Sequence, residues 1–127
     1  TLRSALHKFM FYGESVFKRV GNLSGGEKVR LKLFELIQKN ANLLILDEPT
    51  NHIDIDTKEI LEEALNDYTG TILFISHDRY FINKIANKVL YIENKEIKQY
   101  LGNYDFYKEH KKWQLVIFLL TTKKTSV

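Results

Sequence analysis

The spacing of hydrophobic residues alternates between helical and strand-like along the chain, which predicts an α/β fold. Apolar positions recurring every three to four residues indicate helices, and short continuous apolar runs indicate strands buried on both faces of a parallel sheet. A strand, a helix and a second strand in succession predict a right-handed βαβ unit. The predicted elements are helices at 2–11, 24–39, 56–68 and 80–86, buried strands at 43–46 and 71–76, a hairpin of 89–93 and 96–100 turning at Asn94-Lys95, and a terminal helix from Tyr104.

Two of these helices carry sequence signals for their starts. Ser24 is followed three residues later by Glu27, which matches a capping box at the start of the second helix. Asp56 is predicted to cap the third helix, with Glu59 at the third helical position.

Composition narrows the class of protein. The chain has 127 residues, of which 44% are hydrophobic and 28% charged, as in globular domains, and its formal net charge of +3 does not by itself indicate nucleic-acid binding. The absence of cysteine excludes disulfides and thiolate nucleophiles. No apolar run approaches the roughly 20 residues of a membrane span. Because the chain begins with Thr1 rather than Met, we expect it to be a fragment or a processed chain.

Polar side chains follow both buried strands. Asp47 and Glu48 end the first strand, and Ser76, His77 and Asp78 end the second. Ligands of open α/β sheets bind beyond the carboxyl ends of the strands, so two acids and a histidine there suit metal-assisted hydrolysis. On position alone, ordinary polar turns explain these residues about equally well.

The segment 21–28 approaches the phosphate-loop pattern G-x-x-x-x-G-K-[ST] without matching it. Glu27 stands where the lysine is required, and no Ser or Thr follows Lys28. The segment 24–26 still predicts an anion site, because it lies at a helix N-terminus with free amides and two glycines.

Four segments in series resemble the ATP-binding-cassette (ABC) ATPases. Leu23-Ser24-Gly25-Gly26-Glu27 resembles their signature motif, and 43–49 resembles the Walker B strand with its catalytic glutamate. The segment 51–54 is similar to the D-loop, and 76–78 is similar to the switch-histidine segment. One such match would be weak, but four in the right order make ordinary turns improbable.

The resemblance is closest to the ABC-F group, on the segments 48–54, 76–81 and 102–104. ABC-F proteins are soluble tandem-cassette ATPases, many of which act on the ribosome. The segment 3–17, and Glu27 in place of glutamine, resemble the second cassette.

The resemblance implies a role for each matched residue. Asp47 would hold Mg²⁺, Glu48 would orient or deprotonate the attacking water, and His77 would contact the γ-phosphate of ATP. Asn51 and Asp54 would lie in the D-loop interface. The ATP of an opposing cassette would be bound in trans by Ser24, Gly25, Gly26 and Glu27.

The resemblance also implies what the chain does not contain. Neither a Walker A loop nor the N-terminal strands of the cassette are present, so we expect a partial P-loop-type domain that hydrolyses little or no ATP alone. The expected parts are a helical-subdomain remnant at 1–40, the C-terminal part of the ATPase core at 41–112 and an unrelated tail at 113–127. Within this tail, residues 113–120 could form a core helix or strand. The resemblance implies an opposing cassette and the ribosome or tRNA as partners, and a cytoplasmic location without a membrane. The incomplete sheet predicts self-association.

Three alternatives remain open. A transporter's nucleotide-binding subunit would usually carry glutamine in the signature, and His52 and 79–81 argue against it. A DNA-repair or chromosome-condensing ATPase needs a long coiled coil, for which 2–18 is too short. The non-enzyme alternative is a catalytically inactive fragment that self-associates through an incomplete sheet.

Overall fold

The computed structural model describes residues 1–102, Asp105 and Lys108, together with the backbone of 116–121. Short 3₁₀ turns at Gly13–Phe17 and Val20–Asn22 separate the first two helices. The helices are α1 (Leu2–His7), α2 (Gly25–Gln38), α3 (Ile55–Asp67) and α4 (Arg79–Ile85). The strands are β1 (Leu43–Asp47), β2 (Thr71–Ile75), β3 (Lys88–Glu93), β4 (Glu96–Leu101) and β5 (Val116–Thr121). The predicted α/β class is confirmed.

The described strands form one sheet in the order β1-β2-β5-β3-β4. β1 and β2 are parallel, as the βαβ pattern predicts. β3 and β4 form the predicted antiparallel hairpin, in which Asn94 and Lys95 have positive φ angles of 52° and 66°. Two consecutive positive φ values match the twist of the flanking strands in a tight hairpin. β5 runs antiparallel to both β2 and β3 and connects the two halves of the sheet.

The prediction that the first two strands are buried on both faces is wrong. In β1, Leu43 is 51% and Ile45 is 67% exposed, whereas Leu44 between them is buried. β2 likewise alternates fully buried residues with half-buried ones. β1 lies at the edge of the sheet, and its face that presents Leu43 and Ile45 is largely exposed within the described residues.

Helix α3 packs between two hydrophobic clusters. Leu61 and Leu65 belong to the main core under the sheet, and Ile60 belongs to a smaller cluster under α1 and α2. Edge-to-face ring pairs occur in both clusters, with centroids 5.3 Å apart. The main core contains Leu44, Leu61, Leu65, Tyr68, Ile72, Phe74, Phe81, Ile82, Ile85, Ala86, Val89 and Tyr91. The smaller cluster contains Phe9, Phe11, Leu23, Phe34 and Ile60.

The start of α3 differs from the prediction. The capping residue is Asp54, whose Oδ1 accepts a hydrogen bond from the Thr57 amide at 2.7 Å, and not Asp56. Asp56 lies in the first turn instead, where an acid still interacts favourably with the helix dipole. The helix therefore starts two residues closer to the loop that follows β1.

The other predicted elements agree with the structure to within a few residues. The capping box of Ser24 and Glu27 at α2 is confirmed. α1 is shorter than predicted and is followed by a turn in which Met10 has a φ of 60°. The helix predicted from Tyr104 falls mostly outside the described residues. No helix in the described part of the chain is long and apolar enough to cross a membrane.

Candidate functional site

The polar ends of β1 and β2 meet, as their parallel pairing requires. The Glu48 amide donates a hydrogen bond to the Ile75 carbonyl at 2.9 Å, which holds the chain beyond β1 against the end of β2. The Glu48 carboxylate then accepts a hydrogen bond from the His77 amide at 3.2 Å and contacts Nδ1 of the same histidine. Glu48 has a φ of 45°, a left-handed conformation that is uncommon outside glycine and is often found at functional sites.

The Glu48–His77 pair leaves reactive atoms open to solvent. The His77 side chain is 89% exposed, whereas that of Glu48 is only 21% exposed. Because Nδ1 faces the carboxylate, Nε2 is the ring nitrogen that remains for a ligand. A fixed carboxylate beside an exposed imidazole can orient or deprotonate a water molecule and can contact an anionic group.

Asp47 is the last residue of β1 and is exposed next to Glu48. The described residues contain no cluster of three or more acidic, histidine or cysteine side chains that could hold a metal. A single carboxylate fits Mg²⁺ nonetheless, because Mg²⁺ in nucleotide sites is bound by one or two carboxylates together with water and phosphate oxygens. Asp47 is the residue that could hold such an ion.

The N-terminus of α2 has a complete set of local hydrogen bonds around its serine and glutamate. Ser24 Oγ accepts from the Glu27 amide at 3.2 Å, and Glu27 Oε2 accepts from the Ser24 amide at 2.8 Å. Lys18 Nζ lies 2.9 Å from Glu27 Oε1, and the Lys18 and Ser24 hydrogen bonds lower the pKa of Glu27 to about 2. Within the described residues, no acceptor contacts the amides of Gly25 and Gly26, so these two amides can bind an anion at the positive end of the helix dipole.

The loop before α3 lies against this helix terminus. A Cβ built on Gly26 would come within 2.9 Å of Asp54 Oδ2, so the two segments touch and a larger residue would require the Asp54 carboxylate to shift. Arg30 Nη1 donates to Thr57 Oγ1 at 3.3 Å and strengthens the same contact. Hydrogen bonds from Thr57, together with the charge of Arg30, lower the pKa of Asp54. Asn51 lies in an exposed turn, where its amide donates to the Glu48 carbonyl at 3.1 Å.

The candidate residues therefore form two groups. Glu48, His77 and Asp47 lie at the sheet edge, whereas Ser24–Glu27 and Asp54 lie at the α2 terminus. Within the described part of the chain, no side-chain hydrogen bond or ion pair joins the two groups directly. Both groups nevertheless adjoin the loop between β1 and α3.

Sequence reasoning missed two cations that support these groups. Arg30 lies one turn beyond the glycines of α2, and Lys58 lies in the first turn of α3, where its Nζ donates to Asp78 Oδ2. Both bonds link positions at least 20 residues apart. Lysine and arginine are common on exposed helix faces, so no local signal distinguishes these two from ordinary surface residues.

Comparison with known proteins identifies the family that the sequence resembles. The family model described as "ABC transporter" matches residues 2–51. The putative ATP-binding protein YdiF of Bacillus subtilis is 58% identical over 114 residues, covering 90% of this chain and 18% of YdiF. ABC transporter F family member 5 of Arabidopsis thaliana is 44% identical over 108 residues, or 85% of this chain and 16% of that protein.

A third relative is the energy-dependent translational throttle protein EttA of Escherichia coli K12. It is 43% identical over 123 residues, which is 96% of this chain and 22% of EttA. The chain thus spans less than a quarter of the length of the curated relatives it matches. The chain is therefore similar to the ATP-binding-cassette ATPases and, among them, to ABC-F members, as its motifs predict.

Proposed function

We propose that the chain supplies one part of the ATP-hydrolysing machinery of an ABC-F protein. The observation that carries this proposal is the Glu48 carboxylate bonded to the His77 amide at 3.2 Å across neighbouring strand ends. Such an edge is where α/β sheets bind ligands. The reaction is phosphoryl transfer from ATP to water, in which positioning and charge stabilisation account for most of the catalysis.

In this proposal Glu48 orients the attacking water and accepts its proton, and His77 contacts the γ-phosphate through its exposed ring. Glu48 has a left-handed backbone conformation, and its carboxylate contacts His77. Asp47 would hold Mg²⁺, which when bound neutralises charge on the phosphates.

The N-terminus of α2 would serve a second ATP, bound to an opposing cassette. The amides of Gly25 and Gly26 would contact its γ-phosphate, while Ser24 and Glu27 maintain the helix start through the capping box. Asp54, which touches Gly26, would lie with Asn51 at the interface between cassettes.

We further propose that the whole protein acts in translation on the ribosome or tRNA, in the cytosol, and that this chain corresponds to the second cassette. The name of EttA, an energy-dependent translational throttle protein, supports the first part. The similarity to ABC-F relatives also favours this interpretation over a transporter's nucleotide-binding subunit.

The test is a titration followed by reconstitution. The chain lacks a phosphate-loop motif, so a fluorescent ATP analogue with Mg²⁺ should show no saturable binding to the chain alone. Adding the N-terminal part of the cassette as a separate polypeptide should produce ATPase activity. Glu48→Gln should then reduce turnover by about a hundredfold or more, as expected for loss of a general base.

Glu14→Gln is a matched control, since Glu14 is an exposed acid in the first 3₁₀ turn. That variant should leave turnover unchanged. Turnover by the isolated chain, or reconstituted turnover that tolerates Glu48→Gln, would contradict the proposal.

A second candidate function is self-association of an inactive fragment. It is favoured by the exposed apolar face of the edge strand β1, which presents Leu43 and Ile45. Light scattering should detect dimers or larger species, and Ile45→Lys should shift them towards monomer. A monomeric mass at high protein concentration would exclude this candidate.

A further inference from the structure

Two ion pairs connect α3 to the region of α4. One reaches the residue that caps α4, and the other reaches a residue inside α4. Lys58 Nζ contacts Asp78 Oδ2, and Lys84 Nζ contacts Glu62 Oε2 one turn further along α3. Glu62 and Lys84 both lie within helices, so their pair can only hold the helices together. Asp78 precedes α4 and directly follows His77.

The side chain and amide of Asp78 make several hydrogen bonds around the strand end. Its Oδ1 accepts from the Phe81 amide at 3.1 Å and caps α4, and its own amide donates to Ser76 Oγ at 3.1 Å. Its Oδ2 is left for Lys58. Together with the Phe81 amide, Lys58 therefore orients a carboxylate that holds the backbone on the far side of His77.

Lys58 is itself held in place. Its amide donates to the Asp54 carbonyl at 3.0 Å as part of the first turn of α3, and Asp54 caps that turn. The side chains of Lys58 and Asp78 are only 28% and 24% exposed. An ion pair that is partly shielded from water is stronger than a fully exposed one, which contributes little.

His77 has few contacts of its own. The contacts recorded for its amide and its ring are both with Glu48, and the side chain is otherwise exposed. The position of the ring therefore depends on how firmly the backbone of 76–78 is held. Glu48 holds this segment from the side of β1, and Asp78 holds it from the side of α3.

We propose that Lys58 is a positioning residue for His77, acting through Asp78 to keep the histidine amide and ring against Glu48. This inference rests on the proposed role of the Glu48–His77 pair in hydrolysis. Lys58 touches neither reacting group, so its contribution is to orientation. It connects the first turn of α3, which also borders Gly26, to the histidine segment.

The test uses the chain as it is, without nucleotide. In Lys58→Met, amide hydrogen exchange of His77 measured by NMR should be about tenfold faster, because weakening one hydrogen bond to a charged group makes local opening easier. The His77 ring resonances should also shift. Lys58→Arg should restore exchange to within about twofold, since arginine keeps the charge and the donors.

Lys84→Met is the matched control. It removes the other α3–α4 ion pair and should leave His77 exchange unchanged. If Lys84→Met accelerates His77 exchange as much as Lys58→Met, Lys58 only docks the helices and the inference is overturned. Unchanged exchange in Lys58→Met also overturns it.

If Lys58→Met does not fold, Asp78→Asn provides the same test. Asparagine retains an oxygen to cap α4 but loses the charge that attracts Lys58, so His77 exchange should again accelerate, and unchanged exchange would overturn the inference. The proposed function can fail separately: reconstituted turnover would then tolerate Glu48→Gln while the effect of Lys58 on His77 remained.

Discussion

The contact between Gly26 and Asp54 can be tested by adding a single methyl group. In Gly26→Ala, the new Cβ would lie 2.9 Å from Asp54 Oδ2, closer than real Cβ atoms approach an oxygen. The neighbouring Gly25 is a matched control, because a Cβ there meets nothing within 4 Å. Both residues are in the first turn of α2, and neither has a positive φ.

Both substitutions should stabilise helix α2, but only Gly26→Ala should also disturb the helix cap at Asp54. Replacing glycine by alanine within a helix stabilises it by about 0.5–1 kcal/mol. In Gly26→Ala, Asp54 Oδ2 must also shift, and we expect this to weaken the bond from the Thr57 amide to Oδ1; losing such a helix cap costs about 1 kcal/mol. Gly25→Ala should therefore stabilise the chain, whereas Gly26→Ala should be neutral or destabilising, so the two should differ by about 1 kcal/mol.

Urea unfolding followed by circular dichroism measures this difference. An NMR titration of the Asp54 carboxyl adds an independent readout, because its pKa is lowered mainly by the Thr57 hydrogen bonds and should rise in Gly26→Ala alone. Equal stabilisation by both alanines, with an unchanged pKa of Asp54, would refute the contact.

Three further predictions concern other parts of the chain. Lys18→Met should raise the pKa of Glu27 above about 2 in an NMR titration. In the unsubstituted chain the folded pKa of Glu27 lies below the ordinary 4.5. The stabilisation from this carboxylate is therefore complete above pH 4.5 and is lost as the pH falls towards 2. An unchanged pKa would show that Lys18 is not responsible. Leu65→Ala should lower the free energy of unfolding by about 2–5 kcal/mol in urea, since the side chain is fully buried, and a loss under 1 kcal/mol would contradict this. Gly70→Ala should lower the thermal midpoint, because its Cβ would lie 2.8 Å from a backbone carbonyl oxygen, whereas Gly21→Ala has open space and should not; equal midpoints would contradict the crowding.

The elements that the sequence predicted correctly are those with strong local signals. The capping box at Ser24 and Glu27 depends on residues three apart, and the hairpin turn at Asn94-Lys95 depends on two adjacent ones. The meeting of Glu48 with the histidine segment was also predictable. It follows from parallel strands ending at one edge, which the βαβ pattern implies.

The errors occurred where distant parts of the chain decide the outcome. Acids stand at both Asp54 and Asp56 near the start of the third helix, and from the sequence either could cap it. Asp54 is the cap in a structure where Thr57 is buried against Arg30 of α2, a contact that no local pattern reveals. The same holds for Lys58 and Asp78, which meet across two elements.

The exposure of β1 was missed for a related reason. A continuous apolar run shows that a strand can be buried but not how many layers cover it, and β1 lies at the sheet edge. The apolar sequence at 113–120 is compatible with either a helix or a strand, and the backbone at 116–121 forms β5 in the middle of the sheet.

The position of β5 affects the order in which the sheet can assemble. Thr71 pairs with Thr121, whereas the β3–β4 hairpin closes through adjacent turn residues. Closing a long loop costs more conformational entropy than closing a short one, so contacts distant in sequence form more slowly. We expect β1 with β2, and β3 with β4, to form early as separate pairs. The last described strand would then join them, so that the centre of the sheet is the final part to fold.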